Sequence, residues 1–132
     1  VQDRRVGLVK GTELALFNAN TSTLLDSLKA GYDGYNGVMA NFHIDLYKWL
    51  YGHFANEPEL ARDVSDFLTI SAVIEMRTYP VCAKYHMTIT EVPMTLVTRS
   101  KNAADFNENA RHEVESIIRA EKALRRKLGL AE

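Results

Sequence analysis

Hydrophobic residues along the chain change period several times, and each change marks an element. Leu14, Ala15, Leu16 and Phe17 form a short apolar run without alternation, the pattern of a strand buried on both faces. Asn18, Ala19, Asn20 and Thr21 break the run, and Asn20 or Thr21 is suited to cap the next helix. Leu24, Leu25 and Leu28 recur at helical spacing, and Gly31 is placed to stop that helix. Gly34 to Met39 reads as a second strand. A strand, a helix and a strand this close together predict a βαβ crossover with parallel strands. Chemistry in parallel α/β folds sits at the carboxyl ends of strands, here Asn18 to Thr21 and Met39 to Asn41.

The rest of the pattern is helical. Val6 and Val9 share one face of an amphipathic segment from Gln2 to Val9, which reads as the end of a longer helix. Leu46, Trp49, Leu50 and Phe54 share a stripe within Ile44 to Phe54. A long helix is predicted from Pro58 to about Tyr79, with Leu60, Val64, Phe67, Leu68 and Ile74 inward and Pro58 in its first turn. Pro80 breaks it, and Val81 to Thr88 predicts a short helix. Ile89 to Asn102 has no clear period and reads as an extended surface segment. Asp105 with Glu108 resembles a capping box for a last helix reaching about Leu128, ended by Gly129. Arg125, Arg126 and Lys127 stand at its carboxyl end, where the helix dipole favours cations.

Composition narrows the class. The 132 residues amount to one domain or less, and 46% hydrophobic residues suffice for a packed core. A net charge of -1 gives no pointer to nucleic acid, and no apolar run nears the roughly 20 residues needed to span a membrane. The single Cys82 and the charged start VQDRRVGLVK fit a cytoplasmic protein. Val1 is not an initiator methionine, and two strands alone leave open sheet edges. Both features predict a piece of a longer protein. His43, His53, His86 and His112 share no metal-ligand spacing, so no metal is expected. The aromatic residues at 47, 49 and 51 read as packing, as does Cys82.

Several short motifs then line up in order. Phe17-Asn18-Ala19-Asn20-Thr21, Leu24-Leu25, Gly31-Tyr32-Asp33-Gly34 and Gly37-Val38-Met39-Ala40-Asn41 resemble successive motifs of the dihydrodipicolinate synthase and N-acetylneuraminate lyase family. Tyr79-Pro80-Val81-Cys82-Ala83-Lys84-Tyr85 and Glu91-Val92-Pro93-Met94-Thr95 resemble two later ones. The resemblance implies an α/β fold: the carboxyl-terminal part of a TIM (β/α)8 barrel followed by trailing helices. Residues 1–55 would hold the last βα units, from the end of helix six to helix eight. Residues 56–132 would form a carboxyl-terminal helical extension.

The activity implied is that of a class I aldolase, a lyase forming a Schiff base with pyruvate or another 2-oxo acid. It needs no cofactor. Its catalytic Lys and Tyr would lie upstream of Val1, so this chain alone would be inactive. Lys10 is a poor candidate for the Schiff-base lysine, with only about eight residues between it and Asn18. The resemblance places Asn18, Ala19, Asn20 and Asn36 at substrate-binding positions, though Asn is also an ordinary turn and cap residue. Asn-Ala-Asn-Thr offers amide and hydroxyl groups where the family commonly has acidic ones, and Tyr79 replaces an Asn. Homo-oligomers, often tetramers, are the family habit. The competing expectations are a non-catalytic helical interaction module, and a hydratase-aldolase or sugar-acid dehydratase of the same family.

Overall fold

The computed structural model describes residues 3–130. Six α-helices and two very short strands succeed one another: α1 (Arg4–Val9), β1 (Phe17–Asn18), α2 (Leu24–Ala30), β2 (Gly34–Tyr35), α3 (Ile44–His53), α4 (Pro58–Thr78), α5 (Val81–Thr90) and α6 (Glu108–Lys127). The chain divides into two compact units, one up to Thr69 and one from Ile70, with the division inside α4. The expected boundary at 55/56 falls in the turn between α3 and α4, ahead of this division.

The expected piece of a (β/α)8 barrel is not found: the protein is mostly helical, 66% of it, with two short parallel strands. The reason lies in Leu14 to Phe17. A barrel strand is buried on both faces over several residues. Here Leu14 is 69% and Phe17 53% exposed, and the ladder is only two residues long on each side. An unalternating apolar run is not sufficient to make a strand where nothing covers it. The strands are nonetheless parallel, with Phe17 opposite Gly34 and Asn18 opposite Tyr35. The second one stops at Tyr35, and a 3-10 turn occupies Val38–Asn41 where more strand was expected.

The first unit is organised by local signals. Asp3 caps α1 by accepting from the Arg5 amide, while Gln2 lies outside the described residues. Leu24, Leu25 and Leu28 are buried along one side of α2. Gly31 ends α2 at φ 101, a left-handed conformation that a side chain would disfavour. Leu46, Trp49 and Leu50 are buried on α3 and Val64 and Leu68 on α4, at the spacing the sequence predicts; Leu60, Phe67 and Ile74 are half-buried, and Ala61 is buried in addition. His43 is buried, its ring edge-on to Phe67 at 5.3 Å between centroids.

In the second unit α5 packs on α6. Val81, Cys82 and Ala83 are buried on α5, and Val114 and Ile117 on α6. The cap of α6 is not Asp105. Asn107 accepts from the Ala110 amide at 3.1 Å, whereas Asp105 ends a separate short turn capped by Asn102. Both asparagines are strong caps, and the two-residue shift is a result of that choice. Residues 92–102 run without helix or strand along α5. Lys84 Nζ donates to the Val97 carbonyl at 2.5 Å, and the Met94 amide donates to Thr88 Oγ1 at 3.2 Å.

Candidate functional site

The carboxyl ends of β1 and β2 lie side by side because the strands are parallel. The Asn36 amide donates to the Asn18 carbonyl at 2.8 Å, so the loop after β1 and the turn after β2 start from adjacent points. The other end of the pair is fixed by Asp33. Its amide donates to the Leu16 carbonyl, and its carboxylate accepts from the Leu16 amide at 2.6 Å. A two-residue ladder is weak alone. The side-chain bond to Asp33 extends it by a residue.

The loop after β1 is built by its own asparagines. Asn18 Oδ1 accepts from the Asn20 amide at 2.8 Å, an Asx turn. Its Nδ2 donates to Thr23 Oγ1 at 3.0 Å and Ser27 Oγ at 2.6 Å, tying the loop to α2. Asn20 Oδ1 accepts from the Ser22 amide at 2.9 Å and caps the turn at Thr21–Thr23. These turns aim Thr21 inward, where it is buried. Thr21 Oγ1 lies 2.8 Å from the Tyr35 hydroxyl and 2.8 Å from the Tyr47 hydroxyl. The two tyrosine rings stack with centroids 4.5 Å apart and planes 3° from parallel. Residues from β2, the β1 loop and α3 thus meet in one chain of three hydroxyls.

Gly37 makes this cluster possible. A Cβ there would collide with the Tyr35 hydroxyl and sit 2.7 Å from the Ala19 carbonyl. Both are far inside van der Waals contact, so only glycine lets the Tyr35 ring lie back over the turn.

Of the four expected site residues, Asn18, Ala19 and Asn20 share the β1 loop, and Asn36 joins them across the strand pair. Their side chains have unequal freedom. Asn18 is spent on internal bonds, and Asn20 uses its oxygen as a cap. Asn36 is exposed, and its side-chain amide makes no bond among the described residues. Thr21, Tyr35, Gly37 and Tyr47 were not singled out as site residues by sequence reasoning. Tyr35 and Tyr47 are 14 and 26 residues from Thr21, and no periodicity encodes such a meeting. The only signal was a glycine directly after Tyr35-Asn36.

A cavity of about 350 Å³ opens beside the cluster. Leu24 and Leu28 of α2 form one wall, and Tyr47, Lys48 and Tyr51 of α3 another. Phe17 and Tyr51, both more than half exposed, also line it. Lys48 makes no hydrogen bond or ion pair among the described residues. The Tyr, Trp and Tyr of α3, expected to be packing, divide by role. Trp49 packs face to face on His53 at 4.6 Å, whereas Tyr47 and Tyr51 line the cavity.

Charged pairs lie elsewhere. In the first unit the Tyr32 hydroxyl donates to Asp3 at 3.0 Å, and hydrogen bonds from Arg5 pull the Asp3 carboxyl down to about 2. In the second unit Tyr85 donates to Glu115 at 2.6 Å, which raises the tyrosine pKa and lowers that of the glutamate. His86 and Glu121 are buried 3.9 Å apart, with Arg125 3.8 Å from the same carboxylate. Burial pushes the Cys82 thiol pKa up, and the thiol donates to the Glu75 carbonyl at 3.0 Å, so Cys82 is a poor nucleophile. Lys10, the weak lysine candidate, is exposed at the end of α1.

Fold and site together define a mostly helical chain with a polar loop cluster at the ends of a parallel strand pair and an apolar cavity beside it. Comparisons with protein-family models, curated proteins and solved structures find no match. No helix among the described residues is long and apolar enough to cross a membrane.

Proposed function

We propose that this chain contributes part of the substrate pocket of a lyase acting on pyruvate or another 2-oxo acid through a Schiff base. The amine and the proton relay come from sequence outside Val1–Glu132. One observation carries this reading: the pairing of Asn18 with Tyr35 joins the Asn18–Thr21 loop to Asn36 at the carboxyl ends of two parallel strands. That is where open α/β units hold small anionic substrates. The groups available there are amide and hydroxyl donors, which suit a carboxylate and a neighbouring carbonyl. Within the loop, Asn18 is a positioning residue through its bonds to Asn20, Thr23 and Ser27. Asn20 and Asn36 are the residues with amide N–H groups left for a ligand.

The test is pyruvate titration followed by amide NMR, with borohydride trapping in parallel. The reading expects the Asn20 and Asn36 side-chain amide signals to move saturably, and intact mass to show no reduced adduct. Unmoved amide signals would sink the pocket assignment. An adduct on any lysine of this chain would place the nucleophile here and overturn that half of the reading.

A second reading, a non-catalytic association module, has its own observation. Ile70, Val73 and Met76 are 64%, 66% and 55% exposed at helical spacing on the second half of α4. Sedimentation of wild type against Val73→Glu separates the two: a homo-oligomer that dissociates in the variant supports association through this face.

A further inference from the structure

The cavity beside the hydroxyl cluster belongs to neither reading above, and its lining has a definite chemical character. Four aromatic rings border it: Phe17, Tyr35, Tyr47 and Tyr51. Its volume of about 350 Å³ falls at the lower end of small-molecule pockets, which are mainly apolar with few polar groups. Two charged residues stand on the lining, Asp33 and Lys48, and they are not equivalent. The Asp33 carboxylate is held by the Leu16 amide at 2.6 Å as part of the strand pair. Lys48 has no partner among the described residues. The Asp33 carboxylate is thus oriented by the strand pair, whereas the Lys48 ammonium is free to turn toward a ligand.

We propose that this cavity is a binding site for a flat aromatic anion, its rings against Phe17 and Tyr51 and its acidic group at Lys48. Magnitudes divide the work between the two. An exposed ion pair strengthens binding by up to about fivefold, whereas an aromatic contact adds about twofold to tenfold beyond the area it buries. The rings supply most of the affinity, and Lys48 selects for the anion by about fivefold. Gly34 fits this use. A Cβ there would meet the Phe17 ring at 3.2 Å and Tyr51 at 3.9 Å, so its lack of a side chain keeps the space between the two rings open.

Two dyes of nearly the same shape test the site: 8-anilinonaphthalene-1-sulfonate, which is anionic, and N-phenyl-1-naphthylamine, which is uncharged. Fluorescence titration of the wild-type chain should give one site for each, with the anion bound more tightly and losing that advantage as salt rises. Lys48→Met should weaken the sulfonate about fivefold and leave the neutral dye unchanged. Tyr51→Ser should weaken both several-fold. Lys48 and Tyr51 are exposed, so both variants should keep the wild-type circular dichroism. Several equivalent sites per chain, equal effects of Lys48→Met on the two dyes, or no effect of Tyr51→Ser would each overturn the proposal. So would a wild-type chain that binds neither dye, including one whose cavity is covered by a second copy in sedimentation.

Discussion

Two clusters, one in each unit, use opposite means to hold side chains in place. Around Thr21 the hydrogen bonds are neutral: hydroxyl to hydroxyl, or amide to hydroxyl or amide oxygen. On α6 the corresponding contacts involve charged side chains, as in Glu115 with Tyr85 of α5 and Glu113 with Arg77 of α4. Neutral networks have short reach and demand close geometry, which is why one missing Cβ at Gly37 matters. Charged side chains are long and tolerant, and their contacts weaken with salt and with pH. The first arrangement fixes a local shape, and the second ties neighbouring helices together.

The largest effect should come from breaking the neutral side. Gly37→Ala forces a methyl against the Tyr35 ring and the Ala19 carbonyl, a cost of about 3 kcal/mol in urea unfolding. Loss of the Tyr35–Tyr47 ring-current shifts in the NMR spectrum would accompany it. Thr21→Val keeps the volume and removes the central hydroxyl. It should cost about 2 kcal/mol, because two tyrosine hydroxyls lose their link. If Thr21→Val were neutral, the hydroxyl chain would be incidental and the contrast between the units would fall.

On the helical side, Asn107→Ala should cost about 1 kcal/mol through the lost cap of α6. Asp105→Ala should be nearly silent in the same assay.

The smallest effect sharpens the comparison by pH. The Glu115 pKa is lowered in the folded chain, so its contribution is complete above the unfolded value of about 4.3 and fades as pH falls through the folded one. Asp3 behaves alike, its contribution lost as pH drops from the ordinary carboxylate range toward about 2. The Tyr85 and Tyr32 ring signals should therefore shift in that acid window. The Tyr35 and Tyr47 signals should stay put, since both rings meet Thr21 hydroxyl to hydroxyl.

Much of the helical layout was legible. The Leu46-Trp49-Leu50 and Val64-Leu68 spacings marked buried faces that the structure has, and Gly31 stops α2 where expected, whereas Asn20 caps the short turn before α2 and not α2 itself. The barrel was not there to be read. Leu14 to Phe17 looked like core because burial was inferred from an apolar run alone, and three of its four residues are exposed. At the site, Asn18 and Asn20 were legible as turn formers. Their service to Thr21 was not, because the partner hydroxyls arrive from a strand and a helix distant in sequence. Asp105 failed as a cap for a simpler reason: Asn107, two residues on, caps the helix without a capping box.

The extended strap along α5 also governs how the chain would meet a protease. Arg99 and Lys101 lie in exposed bends between the strap's last tie at Val97 and the start of α6. Trypsin given a brief exposure should nick there first. The severed carboxyl-terminal piece would still be gripped through Tyr85, whose hydroxyl bonds Glu115 and whose ring meets Arg111 and Phe106. A nicked sample would then travel as one particle on a sizing column and as two bands on a denaturing gel. Such a separable pair offers a way to label α6 alone, by exchanging one half for a tagged copy.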